Sequence, residues 1–349
     1  MKNKIFYFHI GLVKTGSTYL QQFIFNQFTD IYYTGYIPYW ENKQENPINN
    51  YMNKIMYTSV MNIDFVEEKR KIEIFLKNIK QNKILISSEF LIGHISLNFI
   101  NQNNIFEGLK KIFPNIKLIL IIREQRSLLE SYYGQTLIGY QFSSVDKVLN
   151  YNKKTNQFGG HKDVFSYGYN VDIRSLNYFN MYQALEKNFG KENILIMPFE
   201  ELKNNKKKFF KNMCNFMGTD FNNIEIIKKK VNRSYSVFSS KIARIFNRFM
   251  RASYGDYGFI PERPFINFFI RMNKKYSIFR IFIKISNFFS LNGILNRIDK
   301  IYYKKPIFLT KEMKKIIYNY HNNSNKKLDI LLNLDLNKYG YYDEYSNSD

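Results

Sequence analysis

A short loop near the start of the chain combines a lysine, small residues and hydroxyl groups, which are residue types that bind phosphate. The apolar run over residues 5–10 predicts a buried strand that ends at Gly11. Helical spacing of apolar residues begins near residue 17. The loop therefore lies at the N-terminus of a helix, where free N–H groups and the helix dipole attract anions. Its members are Lys14, Thr15, Gly16, Ser17 and Thr18.

The order of these residues disfavours the loop of the nucleoside triphosphatases. That motif, G-x-x-x-x-G-K-[ST], has its lysine directly after the second glycine. Gly11 and Gly16 have the required separation, but Ser17 stands where the lysine belongs. The lysine of this chain comes before the second glycine, at Lys14. A lysine at this leading edge can reach the bridging oxygen of a group that leaves a 5′-phosphate.

A second candidate for phosphate binding follows the most strand-like run of the chain, residues 117–122. Arg123 comes directly after this run, and Ser131 follows eight residues later in the second turn of a predicted helix. A guanidinium offers a phosphate a charged fork, and a hydroxyl offers it a neutral donor. Arg126 and Ser127, in the same segment, are alternatives to this pair.

Polar residues, Glu89 and His94 among them, also follow the predicted strand that ends near residue 87. Strands that alternate with helices indicate right-handed βαβ units and a parallel sheet. In such sheets ligands bind beyond the carboxyl ends of the strands. The loop, Glu89 and Arg123 each stand at such an end, so we expect them at one edge of the sheet.

These patterns predict an α/β fold with a P-loop-type central parallel sheet, helices on both faces, and a basic helical C-terminal extension. We place the α/β core in residues 1–235 and the extension in residues 236–349, packed on the same domain. Residues 36–57 lack a clean period and are interpreted as a loop. Residues 139–175 are interpreted as an irregular excursion over the active face, with a short helix near residues 144–151.

Two stretches resemble the sulfotransferase family. V-K-T-G-S-T at residues 13–18 is similar to the family's 5′-phosphosulfate-binding loop, with a valine in place of the usual proline. I-I-R-E-Q-R-S-L-L-E-S-Y-Y at residues 121–133 resembles the family's 3′-phosphate-binding segment, with a glutamine in place of a proline. Further similarity lies in N-I-L-I-M-P-F-E-E-L at residues 193–202 and N-R-S-Y-S at residues 232–236.

The resemblance implies that 3′-phosphoadenosine 5′-phosphosulfate is the donor substrate. Lys14 and the loop would hold its 5′ end. The residues that would hold its 3′-phosphate are Arg123, Ser131 and Arg233. Glu89 is the favoured base for the acceptor hydroxyl, with His94 as the alternative. The acceptor implied is a carbohydrate or a glycolipid, and no metal is required.

The charge of the chain points to an anionic partner. It carries 52 Lys and Arg against 29 Asp and Glu, a net charge of +23. Residues 241–305 hold 14 of these basic residues against 3 acidic ones. Within them, residues 278–289 have the spacing of a basic amphipathic helix, either packed on the core or held against anionic lipid or an acidic glycan. Nucleic acid is not an expected partner.

The compartment is inferred from cysteine usage and from the apolar runs. The single cysteine, Cys214, favours a reducing compartment. No uninterrupted apolar run is long enough for a transmembrane helix, and the basic start of the chain lacks a signal-peptide cleavage site. We therefore expect a cytoplasmic protein, with peripheral contact at the inner membrane face as a further option.

Two other functions remain as alternatives. A P-loop kinase of a small alcohol would need a carboxylate for Mg²⁺, which the sequence does not clearly offer. A basic membrane- or polyanion-binding protein with a decayed loop would bind with a steep salt dependence and without preference for a bisphosphate. The presence of both the loop and the Arg/Ser pair argues against these alternatives.

Overall fold

The computed structural model describes residues 1, 3–35, 46–139, 141–159, 171–222, 224–227, 234–251, 260–261 and 290–343. Arg233 and the predicted helix over residues 278–289 lie outside the described residues. The strands are β1 (Ile5–Gly11), β2 (Ile31–Tyr33), β3 (Lys83–Ser87), β4 (Ile116–Ile122), β5 (Tyr151–Asn152), β6 (Gln157–Phe158), β7 (Ile194–Pro198), β8 (Met250–Arg251) and β9 (Ile260–Pro261).

A parallel sheet of five strands, in the order β2-β3-β1-β4-β7, confirms the predicted α/β architecture. The side chains of β4 show how both of its faces are covered. Because successive side chains of a strand point to opposite faces, Leu118 and Leu120 enter one apolar cluster, and Ile119 and Ile121 enter the other. All four are 0% exposed. A strand buried on both faces requires a continuous apolar run, and this is the pattern of β4 in the sequence.

Helices cover both faces of this sheet. They are α1 (Ser17–Tyr19), α2 (Pro47–Tyr57), α3 (Phe65–Lys77), α4 (Gln102–Ile112), α5 (Gln125–Ile138), α6 (Val145–Val148), α7 (Tyr178–Phe189), α8 (Phe199–Asn204), α9 (Lys206–Met217), α10 (Val237–Phe246), α11 (Leu291–Ile301) and α12 (Lys311–Leu332). α1 continues as the π-helical segment Leu20–Ile24 and the 3-10 turn Phe25–Gln27. This segment and α9 pack on one face, and α2, α4, α5 and α7 pack on the other.

The interpretation of residues 36–57 as a loop was wrong over its second half, which forms α2. Asn46 caps this helix, since its side-chain oxygen accepts two backbone N–H groups of the first turn. A proline follows at the first helical position, where its missing N–H has no cost. Ile48, Met52 and Ile55 are buried at helical spacing. The capping asparagine and the helical spacing of apolar residues are both present in the sequence, but the surrounding asparagines make them hard to recognise.

The C-terminal helices extend the same core. Met313, Ile317 and Leu328 of α12 are buried in the apolar cluster that receives Leu118 and Leu120 of β4. In the excursion of residues 139–175, the regular elements of the described part include α6 and the β5-β6 hairpin. None of the helices in the described ranges has the length and the apolar character needed to cross a membrane.

Candidate active site

Two glycines with positive φ shape the loop between β1 and α1. Gly11 has a φ of 126°, and a Cβ there would lie 2.9 Å from the carbonyl oxygen of Glu89. Gly16 has a φ of 89°, and a Cβ there would lie 3.0 Å from a methyl group of Leu202 in α8. Glycine meets both the backbone and the space requirement without strain. The loop is therefore packed tightly between the segment after β3 and α8.

The hydroxyl groups of the loop hold its shape and connect it to Glu89. Thr15 is fully buried and donates a hydrogen bond of 2.6 Å to the carbonyl oxygen of Leu12. The Ser17 hydroxyl lies 3.4 Å from the same oxygen and within hydrogen-bond reach of the Glu89 carboxylate, so its single hydrogen can be donated to either acceptor. Thr18 is half-buried near the start of α1. The loop and the segment after β3 thus form one unit.

Lys14 and Glu89 are close enough to change each other's pKa. Burial lowers the pKa of Lys14, and the charge of Glu89 opposes this shift. Burial raises the pKa of Glu89, and the charge of Lys14 and the Ser17 hydrogen bond oppose that shift. The Lys14 ammonium donates to Oε1 of Gln135 at 3.0 Å. A cation and a carboxylate with shifted pKa values at the end of a parallel sheet are typical of a catalytic site.

His94 also lies after β3, but its ring is hydrogen-bonded to a backbone N–H group. Nδ1 accepts a hydrogen bond of 3.2 Å from the Ser96 N–H and lies 2.6 Å from the Ser96 hydroxyl. The ring stacks on Phe90 with a centroid distance of 4.6 Å, and burial lowers its pKa. Because Nδ1 accepts this N–H, the neutral ring carries its proton on Nε2.

A buried polar chain connects the strands beneath the loop. His9 of β1 is fully buried, and its Nδ1 lies 2.7 Å from the hydroxyl of Ser87 at the end of β3. The amide of Gln21 donates to the same hydroxyl at 3.0 Å. Burial lowers the pKa of His9 to about 4, so its ring is neutral at pH 7. This chain fixes the end of β3, from which Glu89 follows, against the strand that leads into the loop.

Arg123 connects the loop with α5. Its Nη1 donates to the carbonyl oxygen of Lys14 at 2.8 Å, and its Nε and Nη2 donate to the Ser127 hydroxyl at 3.1 and 2.9 Å. The guanidinium carbon lies 4.9 Å from the centre of the Phe199 ring. Burial lowers the pKa of Arg123, and the charge of Glu200 opposes this shift. The arginine is therefore held in one orientation at the edge of the sheet.

One face of α5 contacts both Lys14 and Arg123. The hydroxyl that Arg123 contacts belongs to Ser127, one turn before Ser131. Ser131 is half-buried, and Gln135, which receives Lys14, follows one turn later. Residues four apart lie on the same face of a helix, so these three side chains form one polar stripe. Ser131 lies in the middle of this stripe, between the contacts of the two cations.

A network that the sequence did not reveal holds the other side of Arg123. The Tyr341 hydroxyl donates to Oε2 of Glu200 at 2.8 Å, and the Glu124 N–H donates to Oε1 of Glu200 at 3.2 Å. The Tyr178 hydroxyl donates to the carbonyl oxygen of Arg123 at 2.6 Å. Both tyrosines are buried, with exposures of 1% for Tyr341 and 0% for Tyr178. The C-terminal segment is therefore part of the support for the site.

One further predicted phosphate ligand, Arg126, is not in the cluster that the structure brings together. Arg126, the alternative to Arg123, pairs with Glu124 at 2.6 Å and donates to the carbonyl oxygen of Gly340 at 2.8 Å. Arg233 lies outside the described residues. Ser236, in the same motif, caps α10 by accepting the N–H of Ser239. In the described ranges no group of three His, Cys, Asp or Glu side chains could hold a metal ion.

The missed residues differ in how visible they are in the sequence. Gln135 continues the i, i+4 spacing of Ser127 and Ser131, so the periodicity of α5 contains a signal for it. Glu200 stands within residues 193–202, whose resemblance to the family gives this carboxylate no role. Tyr178 and Tyr341 reach the site from distant parts of the chain, and no local pattern marks them.

The chain matches a known family over most of its length. The family model for the sulfotransferase domain matches residues 7–250. Among solved structures, the crystal structure of a sulfotransferase from Alicyclobacillus acidocaldarius is similar, with 16% sequence identity and a TM-score of 0.42. The match covers 69% of this chain and 90% of that chain. No curated protein matches this chain.

Proposed function

The chain belongs to the sulfotransferase family and transfers sulfuryl groups, and we propose that its donor is 3′-phosphoadenosine 5′-phosphosulfate and its acceptor a hydroxyl of a carbohydrate or glycolipid. The donor carries negative charge at both ends of one adenosine. A site for it needs two cationic positions within the span of a nucleotide.

The observation that carries this proposal is the connection between Lys14 and Arg123. Arg123 donates to the backbone of Lys14, so the two cations belong to one edge of the sheet. The α5 stripe contacts Arg123 through Ser127 and Lys14 through Gln135. In the proposal the loop and Lys14 bind the 5′ end, and Arg123 binds the 3′-phosphate with Ser131 as a hydroxyl donor. A triphosphate would require cations and a metal at one end only.

The proposed reaction is a direct displacement at sulfur. The acceptor hydroxyl loses its proton to Glu89, and its oxygen forms a bond to sulfur. The bond between sulfur and the 5′-phosphate oxygen breaks, and adenosine 3′,5′-bisphosphate leaves with the electron pair. The Lys14 ammonium and the amides at the start of α1 stabilise the charge that develops on the leaving phosphate. All of these roles are filled by side chains and backbone groups of this chain.

Two features support Glu89 rather than His94 as the base. Burial raises the pKa of Glu89, and a carboxylate with a raised pKa accepts a proton more readily. His94 uses Nδ1 to accept the Ser96 N–H, so its neutral ring presents a protonated Nε2. That ring can donate a hydrogen bond to the acceptor, but it must first change tautomer and lose this cap to act as a base.

An aromatic group beside Glu89 supports a carbohydrate acceptor. Phe90 follows Glu89 directly, stacks on His94, and contacts Tyr57 with a centroid distance of 6.5 Å. Tyr57 is 47% exposed. Aromatic rings with one accessible face and polar neighbours offer both the apolar surface and the hydrogen bonds that a sugar ring uses.

Two linked experiments test the proposal. Adenosine 3′,5′-bisphosphate should raise the melting temperature of the protein at concentrations where ATP with Mg²⁺ does not, because only the bisphosphate engages both cations. Donor labelled in the sulfuryl group should then transfer its label to the carbohydrate or glycolipid fraction of a cell extract. A shift with ATP and Mg²⁺ alone would favour a kinase. Label that appears only in protein or small phenols would contradict the acceptor class.

A further inference from the structure

The outer face of α10 is apolar at its centre and basic at its margin. Phe238, Lys241 and Ile245 lie on one face at helical spacing, and Phe249 follows in the turn after the helix. The three apolar side chains are 51%, 58% and 50% exposed. The opposite face, which includes Ala243, is buried against the protein. This is the reverse of the usual surface helix, which presents polar groups to water.

α11 packs beside α10 and has exposed apolar residues of its own. The two helices are joined by Asp299, which accepts hydrogen bonds from the Ser236 N–H at 2.8 Å and from the Ser239 hydroxyl at 2.6 Å. Ile294 and Ile301 share one face of α11 and are 41% and 91% exposed. We call Phe238, Lys241, Ile245, Phe249, Ile294 and Ile301, with the exposed cations of the same segments, the α10–α11 surface.

The charge of this region has one sign. In residues 234–251 and 290–307 the sequence has a single carboxylate, Asp299, which is buried. The exposed cations of these ranges include Lys241, Arg244, Arg248, Lys300, Lys304 and Lys305. Tyr302 and Tyr303 follow α11 directly and are 65% and 36% exposed. Exposed aliphatic and aromatic side chains among lysines and arginines are the composition of a helix that lies in a membrane interface.

We propose that the α10–α11 surface docks the protein on an anionic lipid bilayer. Lysine and arginine side chains meet the phosphate headgroups, and the isoleucine and phenylalanine side chains enter the acyl boundary. A second copy of the chain fits less well, because a two-fold interface would bring these cations against each other. Nucleic acid also fits less well, because isoleucine has no ring on which a base can stack.

The end of α10 is hydrogen-bonded to the end of α5, the helix that lines the site. Asn247, at the end of α10, donates to the carbonyl oxygens of Leu137 and Gln141, both at 2.9 Å, and so closes the C-terminal end of α5. The same helix carries Ser131 and Gln135. A membrane docked on α10 is therefore close to the C-terminal end of the helix that lines the site, which suits a lipid-linked acceptor if the proposed function holds. The docking itself does not depend on that function.

Vesicle co-sedimentation of the full chain tests the docking. The protein should sediment with vesicles of phosphatidylcholine and phosphatidylglycerol, should remain in solution with phosphatidylcholine alone, and should be released by added salt. The double variant Lys241→Gln/Ile245→Ser should lower the partition coefficient at least about fivefold, the change expected for loss of one lysine contact. Its matched control is Ile74→Ser/Lys77→Gln on α3, which removes the same exposed residue types and should not change the binding.

Several outcomes would overturn the docking. The first is equal binding of neutral and anionic vesicles. The second is an equal loss of vesicle affinity in the two double variants. The third is no vesicle binding by the parent protein. If the parent binds a short oligonucleotide but no vesicles, and the Lys241/Ile245 variant loses that affinity, the surface binds nucleic acid instead. Concentration-dependent dimerisation that the same variant abolishes would assign the surface to a second copy. Circular dichroism melting of each variant distinguishes a lost contact from a lost fold.

Discussion

Lys14 and Arg123 are both half-buried cations at the carboxyl edge of one sheet, yet their surroundings differ. Arg123 makes hydrogen bonds to the loop backbone and to Ser127 and lies on the ring of Phe199. The Lys14 ammonium reaches the exposed side chain of Gln135, a contact that costs little to exchange. We refer to Lys14 and Glu89 as the reacting end and to Arg123 with its supporting network as the anchoring end.

This difference matches what the two ends must do in the proposed reaction. The anchoring end holds a phosphate that does not change, so a fixed guanidinium is an advantage. The reacting end must hold more negative charge in the transition state than in the ground state, so its cation must follow the leaving group. We therefore expect substitutions at the reacting end to lower kcat and substitutions at the anchoring end to weaken nucleotide binding.

Glu89→Gln should have the largest effect on turnover. Loss of a general base lowers kcat by about 10²–10⁴-fold, while the dissociation constant of adenosine 3′,5′-bisphosphate should remain within about threefold because the amide keeps the shape of the side chain. The wild-type kcat should fall with decreasing pH through a pKa above the ordinary value of 4.5, because burial raises the pKa of Glu89. Steady-state kinetics and calorimetry measure both quantities. Full activity in Glu89→Gln together with loss of activity in His94→Gln would move the base to His94.

Lys14→Ala should lower kcat by about 10²–10³-fold, the cost of removing one donor that stabilises transition-state charge. Lys14→Arg is the control, since it keeps the charge and should recover part of the rate. Burial lowers the pKa of Lys14 below 10.5, so wild-type kcat should fall as pH rises through that lowered value. A wild-type rate in Lys14→Ala would show that Lys14 does not stabilise the leaving phosphate.

Arg123→Gln should have the opposite effect, with a larger change in nucleotide affinity than in kcat. Loss of a charge-assisted hydrogen bond costs about 1.5–3 kcal/mol, so the dissociation constant of the bisphosphate should rise about 10- to 150-fold. At saturating donor, kcat should change by less than the binding does. Ser131→Ala and Ser127→Ala measure the neutral donors on α5, and the larger rise in dissociation constant identifies the hydroxyl that faces the phosphate. A fall in kcat without loss of affinity in Arg123→Gln would show that Arg123 acts in turnover and does not anchor the nucleotide.

Tyr341→Phe should have the smallest effect on activity. It removes the hydroxyl that donates to Glu200, and a buried acceptor that loses its donor costs about 1–3 kcal/mol of unfolding free energy. Tyr342→Phe is the matched control, because its hydroxyl donates to a different carboxylate, that of Asp329, also at 2.8 Å. Both variants should lose stability in chemical denaturation, and only Tyr341→Phe should weaken bisphosphate binding. Equal binding in the two variants would show that the C-terminal segment does not position Arg123.

The sequence reveals the reacting end more fully than the anchoring end, and the reason is physical. A buried parallel strand, a glycine turn and a helix start are local features, so β1, the loop and Lys14 could be located from neighbouring residues. Glu89 and Arg123 could be placed at the same edge because parallel strands bring their carboxyl ends together. The partner of Arg123 could not be fixed, since Ser127 and Ser131 lie on the same face of α5 at successive turns.

Contacts between distant segments explain most of what the sequence did not show. Tyr341 reaches Glu200 only after α12 has packed on the core, and neither residue has a local pattern that marks the pair. The missed helix α2 is a different case. Its capping asparagine, its proline and its apolar spacing are all present in the sequence, among asparagines whose composition favours loops.

The most direct test of the central claim is single-turnover transfer of a labelled sulfuryl group from 3′-phosphoadenosine 5′-phosphosulfate in the presence of a cell extract, with wild-type protein and Lys14→Ala compared at saturating donor. If the proposed roles are correct, the wild type labels an acceptor, and Lys14→Ala still binds adenosine 3′,5′-bisphosphate through Arg123 and the loop amides but transfers no label on the same time scale. Equal transfer by both proteins, or transfer from γ-labelled ATP instead, would contradict it.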